Sequence, residues 1–131
     1  MIGENQKGFT LVELLAAILL MGMTVVGITN LFITIEVTQR RSYNLVLATR
    51  AGEKQIESLR NSQYGALEPD STIDFSTNLP ADLPSPKSGS VYVSEPEVGL
   101  RRVDVTIAYK EGSSTKTIKQ SSFIGIIGIG Q

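Results

Sequence analysis

Residues 7–35 read KGFTLVELLAAILLMGMTVVGITNLFITI, and between Glu13 and Glu36 they hold 22 consecutive uncharged positions, 14–35. As a helix at about 1.5 Å per residue these would reach roughly 33 Å, the thickness of a bilayer's hydrocarbon core. The polar members of the run are Thr24, Thr29, Asn30 and Thr34. A threonine hydroxyl in a membrane helix bonds its own backbone at little cost. Asn30 costs more, and implies either a depth near an interface or a helix partner. The run is too long for a small domain to wrap as a core helix. A cleaved secretory signal would need a basic start, a shorter apolar core and a small-residue exit, none of which is present. A generic signal anchor fits the run but does not explain the residues in front of it.

The helical pattern continues beyond the run. Residues 36–62 contain no Pro, and apolar positions recur at Val37, Tyr43, Leu45, Leu47, Ala48, Ala51, Ile56 and Leu59 among charges such as Arg50, Glu53, Lys54, Glu57 and Arg60. This spacing predicts an amphipathic helix that ends where Asn, Ser and Gly gather at 61–65. One helix over about 10–62 would be lipid-like in its first half and amphipathic in its second. Arg40 and Arg41 mark the far interface of the span.

Four of the five prolines fall in 68–90, at Pro69, Pro80, Pro84 and Pro86. This segment reads as a surface loop with at most a short strand near 72–75, and its length makes it a candidate for partner contact. The last third alternates with period two. Val103, Val105, Ile107 and Tyr109 share one face, and Asp104, Thr106, Ala108 and Lys110 the other. Residues 111–114 supply a hairpin turn, and 115–123 return as a strand. The expected fold class is therefore α+β. A long N-terminal helix, transmembrane first and amphipathic later, packs on a small antiparallel sheet with one polar face. The tail 124–131, IGIIGIGQ, is too short to span a membrane and reads as a final strand, a packing tail or a contact surface.

Composition narrows the chemistry. The chain has 131 residues, 12 Lys+Arg against 13 Asp+Glu, a formal net charge of -1, and neither Cys, His nor Trp. No thiol nucleophile, disulfide or zinc-thiolate site can form, and the commonest general base is missing. A near-neutral balance gives no global pull toward nucleic acid. Glu95, Glu97 and Asp104 lack the spacing of a calcium loop, so no metal site is expected. The Ser and Lys residues of 110–119 read as a polar hairpin, and the chain is expected to catalyse nothing.

The most specific signal is 7–23, KGFTLVELLAAILLMGM, which resembles the N-terminus of the type IV pilin superfamily: major and minor pilins and the pseudopilins of secretion and competence systems. The pattern requires a Gly, an aromatic, a membrane-length run and one embedded acid in fixed order. The resemblance implies a leader of residues 1–8, cleavage between Gly8 and Phe9 by a prepilin peptidase, and N-methylation of Phe9 by the same enzyme. It implies a membrane and filament-core helix over 9–35 and a globular part over 36–131. It also implies the partners: other pilin or pseudopilin subunits, the prepilin peptidase/methyltransferase, an inner-membrane assembly platform, and lipid before assembly. No cofactor is implied. The chain would start as a single-pass inner-membrane protein with a cytoplasmic leader and end in a cell-surface or periplasmic filament. Charge alone does not favour that orientation, since two arginines follow the run and only Lys7 closely precedes it. The missing C-terminal disulfide loop, and Asn30 in the vicinity of the proline that kinks many major pilins, point toward a minor subunit. The competing reading is an unpolymerised single-pass anchor carrying a small extracytoplasmic binding domain.

Glu13 has its own physical argument. A carboxylate placed centrally in a bilayer costs about 2.5–3.5 kcal/mol on insertion scales, and less near an end. Cleavage at Gly8 would give Phe9 an ammonium one helical turn away. Glu13 would then meet its own terminus, the positive end of the helix dipole, or, as the resemblance implies, the amine of an adjacent subunit. Unit charges about 4 Å apart at an effective dielectric of 20 attract by about 4 kcal/mol, enough to offset most of the burial cost.

Overall fold

The computed structural model describes residues 8–62 and 64–126. One α-helix, α1 (Leu11–Asn61), is followed by a single turn of 3-10 helix at Tyr64–Ala66 and four strands: β1 (Ser71–Asp74), β2 (Lys87–Glu97), β3 (Leu100–Glu111) and β4 (Ser114–Gly125). The chain divides into two units between Arg40 and Arg41.

In the first unit the described helical residues are all exposed, including Leu15, Leu19, Val26 and Phe32. A helix that is apolar all round, with nothing of its own unit to cover it, suits lipid or neighbouring helices as solvent. It is the one described helix long and apolar enough to cross a membrane. The threonines behave as their chemistry predicts. Thr24, Thr29, Thr34 and Thr38 each donate a hydroxyl hydrogen bond to the carbonyl four residues earlier, at 2.8–2.9 Å.

In the second unit the strands form one antiparallel sheet in the order β1-β2-β3-β4. Val91 and Val93 pair with Val105 and Val103, and Ile107 and Tyr109 continue the same buried row. The second half of α1 covers this face through buried Ala48 and Leu59 and half-buried Leu47, Ala51 and Ile56. Gly52 lets the helix come close to β4, since a Cβ there would sit 2.0 Å from Gln120 Oε1. The side-chain NH2 of Gln120 donates to the Thr49 carbonyl at 3.3 Å, while its Oε1 is buried with no partner among the described residues. Of the apolar positions expected on the buried stripe, Val37, Tyr43 and Leu45 are exposed, and the covered part of the helix begins at Leu47.

The two hairpins turn in two residues each. Gly112 has φ +65° between the paired residues Glu111 and Ser114, and Gly99 has φ +85° between Glu97 and Leu100. Such left-handed backbone favours glycine. The β2–β3 register slips between Ser94 and Glu97, where Pro96 has no N–H to give the ladder.

The reading of 68–90 as a surface loop is corrected here. The segment contains β1, a 3-10 turn at Ser76–Asn78 and the first rungs of β2, and its Phe75, Leu79 and Leu83 are buried in the core. Its prolines prevent a long regular element. Three large apolar side chains spaced by four residues still pull the chain onto the sheet, because leaving them in water would forfeit about 1.5–3 kcal/mol each.

Candidate functional site

Gly8, Phe9 and Thr10 lie outside the helix and are exposed, and Phe9 retains 79 % of its surface. The Gly8–Phe9 peptide bond therefore lies in non-helical, accessible backbone just before α1. The rest of the expected leader, residues 1–7 with Lys7, falls outside the described residues, as does the end of the tail, 127–131.

Thr10 defines where the helix starts. Its carbonyl accepts the first intrahelical bond, from Leu14 N–H at 3.1 Å, and its hydroxyl oxygen accepts from Glu13 N–H at 3.2 Å. Thr10 is thus the N-cap and Glu13 the third residue of the helix. The sequence reading gives Thr10 no role, although the Thr-x-x-Glu spacing before an apolar run signals a capping box. The cap fixes two things at once. It ends the non-helical segment carrying the Gly8–Phe9 bond, and it sets Glu13 in the first turn, where the partial positive charge of the helix end favours an acid. Among the described residues Glu13 forms no ion pair.

Two of the acids without calcium-loop spacing, Glu95 and Asp104, hold side-chain partners of their own. Glu95 pairs with the largely buried Arg101 and also accepts from Tyr64 O–H at 3.3 Å and Gly99 N–H at 3.4 Å. Arg101 donates its Nε–H to the Leu67 carbonyl at 3.0 Å and lies 4.9 Å from the Tyr64 ring centroid. This cluster ties the segment after α1 to the β2–β3 hairpin. The Arg101 hydrogen bond, then those from Gly99 and Tyr64, hold the Glu95 carboxyl below its ordinary value. Asp104 pairs with Arg102 at 3.1 Å and accepts from Ser121. The residues of 110–119 form the polar β3–β4 hairpin that the alternation predicts.

Residues 4–29 match the family described as the prokaryotic N-terminal methylation motif. Neither the curated proteins nor the solved structures contain a match to the chain. The matched segment is the signature of type IV pilins and pseudopilins, and it covers the Gly8–Phe9 bond, the Thr10 cap, Glu13 and the apolar run through Thr29. Such a motif marks a structural subunit, processed by prepilin peptidase, anchored in the membrane and assembled with other pilin subunits.

Proposed function

We propose that this protein is a minor subunit of a type IV pilus or a related secretion or competence pseudopilus. Prepilin peptidase cuts between Gly8 and Phe9 and methylates the new amine of Phe9. The released subunit waits in the inner membrane and enters a filament at the assembly platform, to end in a cell-surface or periplasmic fibre. The observation that carries this reading is the coincidence of the methylation motif with an exposed Gly8–Phe9 bond placed just outside a capped, membrane-length helix.

Glu13 couples processing to assembly. Before the cut, no cation lies within the apolar run, and the nearest positive sources are the helix end and Lys7. After it, Phe9 bears an ammonium with a reference pKa of about 7.7–8.0, and methylation keeps that charge. In the filament the Glu13 carboxylate of one subunit takes the Phe9 ammonium of the next, so an uncut precursor cannot satisfy its neighbour.

Intact mass of fibres sheared from the native host tests the processing: loss of residues 1–8 plus one methyl group is expected, and a whole precursor would refute it. Glu13→Ala tests the coupling. It leaves cleavage and membrane insertion at wild-type levels and lowers incorporation into fibres at least tenfold. Wild-type incorporation of that variant would sink the pairing.

A further inference from the structure

We infer that the second unit carries a binding cleft for a short, extended, acidic peptide segment of another protein. The inference goes beyond the filament reading and does not depend on it.

The cleft runs between α1 and the irregular segment after β1, and its volume is about 480 Å³. One wall is a helix stripe through Leu47, Ala51, Lys54, Gln55 and Ser58, positions that helical spacing brings to one side. The facing wall is Phe75, Asn78 and Pro80. The 3-10 turn at Ser76–Asn78 follows the buried Phe75 directly and leaves Asn78 exposed. The proline-rich segment that the sequence marks for partner contact thus supplies one side of the cleft.

The lining divides by chemistry. Leu47, Ala51, Phe75 and Pro80 give it apolar surface. Around them stand two cations, Arg50 and Lys54, and three neutral polar side chains, Gln55, Ser58 and Asn78. None of these five side chains forms an ion pair or a hydrogen bond among the described residues. No acid lines the cleft among the described residues. Of the acids nearby, Glu57 pairs with Arg60 at 3.1 Å, and Asp74 accepts from the Ser76 N–H at 2.8 Å and hydroxyl at 2.6 Å. Glu53 lies about 160° around the helix from Ala51. Asp82 follows Pro80 on the chain, where Lys87 donates to the Pro80 and Ala81 carbonyls.

Two cations without an acid call for an anionic ligand. The Arg50 guanidinium offers a fork that fits a carboxylate, and Lys54 adds a point charge one turn along. The other polar groups say more. The Gln55 and Asn78 amides and the Ser58 hydroxyl both donate and accept, which matches a peptide group with its one donor and one acceptor; a bare anion would use donors alone. Leu47 and Ser58 are eleven residues apart, or about 16 Å along the helix, and an extended chain at about 3.3 Å per residue places about five residues over that length. Successive side chains of an extended segment point to opposite sides. Apolar residues therefore reach the floor while alternating acids face Arg50 and Lys54.

Anisotropy of pentapeptides bearing a neutral dye tests this on the full chain in nonionic detergent micelles, with empty micelles as the blank. Three probes alternate Leu or Phe with Asp and Glu, with Asn and Gln, or with Lys. The acidic probe is expected to bind at least tenfold tighter than the other two. Arg50→Gln with Lys54→Gln should lose at least tenfold, whereas Lys110→Gln with Lys116→Gln, outside the cleft, should change binding less than twofold. Arg50→Glu with Lys54→Glu should transfer the preference to the Lys probe. Both positions are exposed, so these variants keep the fold, and an unchanged melting temperature checks it. Equal binding of the acidic and neutral probes, a wild-type affinity without the two cations, or full displacement by succinate at the probe's own concentration would each overturn the inference. In the native host, p-benzoylphenylalanine in place of Ala81, on the rim, is expected to cross-link to a segment of another protein with acids within five residues of the link. Adducts only with a second copy of this chain or with lipid, or no protein adduct, would overturn it as well.

Discussion

Two residues show how much a single side chain decides. Thr10 caps α1 through one hydroxyl, and caps of this kind are worth about 0.5–2 kcal/mol. Thr10→Val keeps the shape and removes the acceptor. The Glu13 amide of the full chain in detergent should then exchange its hydrogen about tenfold faster, while Thr10→Ser stays near wild type. Equal exchange in all three would mean that the hydroxyl does not hold the helix start. Glu95 acts through charge. Its carboxyl is held below the ordinary 4.5 by Arg101 first, so the folded state favours the ionised form. A group depressed in the fold stabilises fully above its unfolded value and loses that contribution as pH falls through its folded value. Thermal stability should therefore drop below about pH 4.5. Glu95→Gln should flatten that acid limb while lowering the melting temperature at neutral pH, because Arg101 is left largely buried without its partner. A variant with the wild-type acid limb would assign the pH response to other acids.

The elements differ in how openly the sequence announces them. The membrane-length run, the long helix and the β3–β4 hairpin were legible because a charge-free stretch, a missing proline and a strict period of two each have one physical solution. The Gly8–Phe9 junction and Glu13 stand out as a pattern, and Thr10 was available in the Thr-x-x-Glu spacing. The segment 68–90 was not, because Pro80, Pro84 and Pro86 erase periodicity without removing the apolar side chains that must find the core. Tyr43 and Leu45 misled in the opposite sense, since period alone does not say where cover of a helix begins. The packing of that irregular segment can be tested at Gly89, where a Cβ would lie 2.8 Å from two carbons of the buried Phe75 ring. Overpacking of this kind costs about 1–3 kcal/mol. Gly89→Ala should lower the urea midpoint accordingly, and Phe75→Leu in the same chain should recover part of the loss. If the double variant is merely the sum of two losses, the ring and Gly89 are not in contact.

At the level of the whole molecule, the buried apolar residues among those described begin at Ala48 and end at Ile124, so none of them belongs to the first unit. The second unit has its own sheet, its own helix cover and its own buried cluster, and these are the requirements for folding alone. A chain of residues 36–131 should therefore be soluble without detergent and unfold in one cooperative step. Its melting temperature should lie within a few degrees of the transition that the full chain shows in micelles. The full chain should need detergent or lipid throughout, because residues such as Leu19, Val26 and Phe32 keep about 60 % or more of their surface exposed. The shortened chain still exposes Tyr43, Leu45 and Val46 on α1, and weak self-association at high concentration would follow from that patch. A non-cooperative melt of 36–131, with strong binding of an apolar dye at neutral pH, would mean that the first unit contributes to the fold and not only to the anchor.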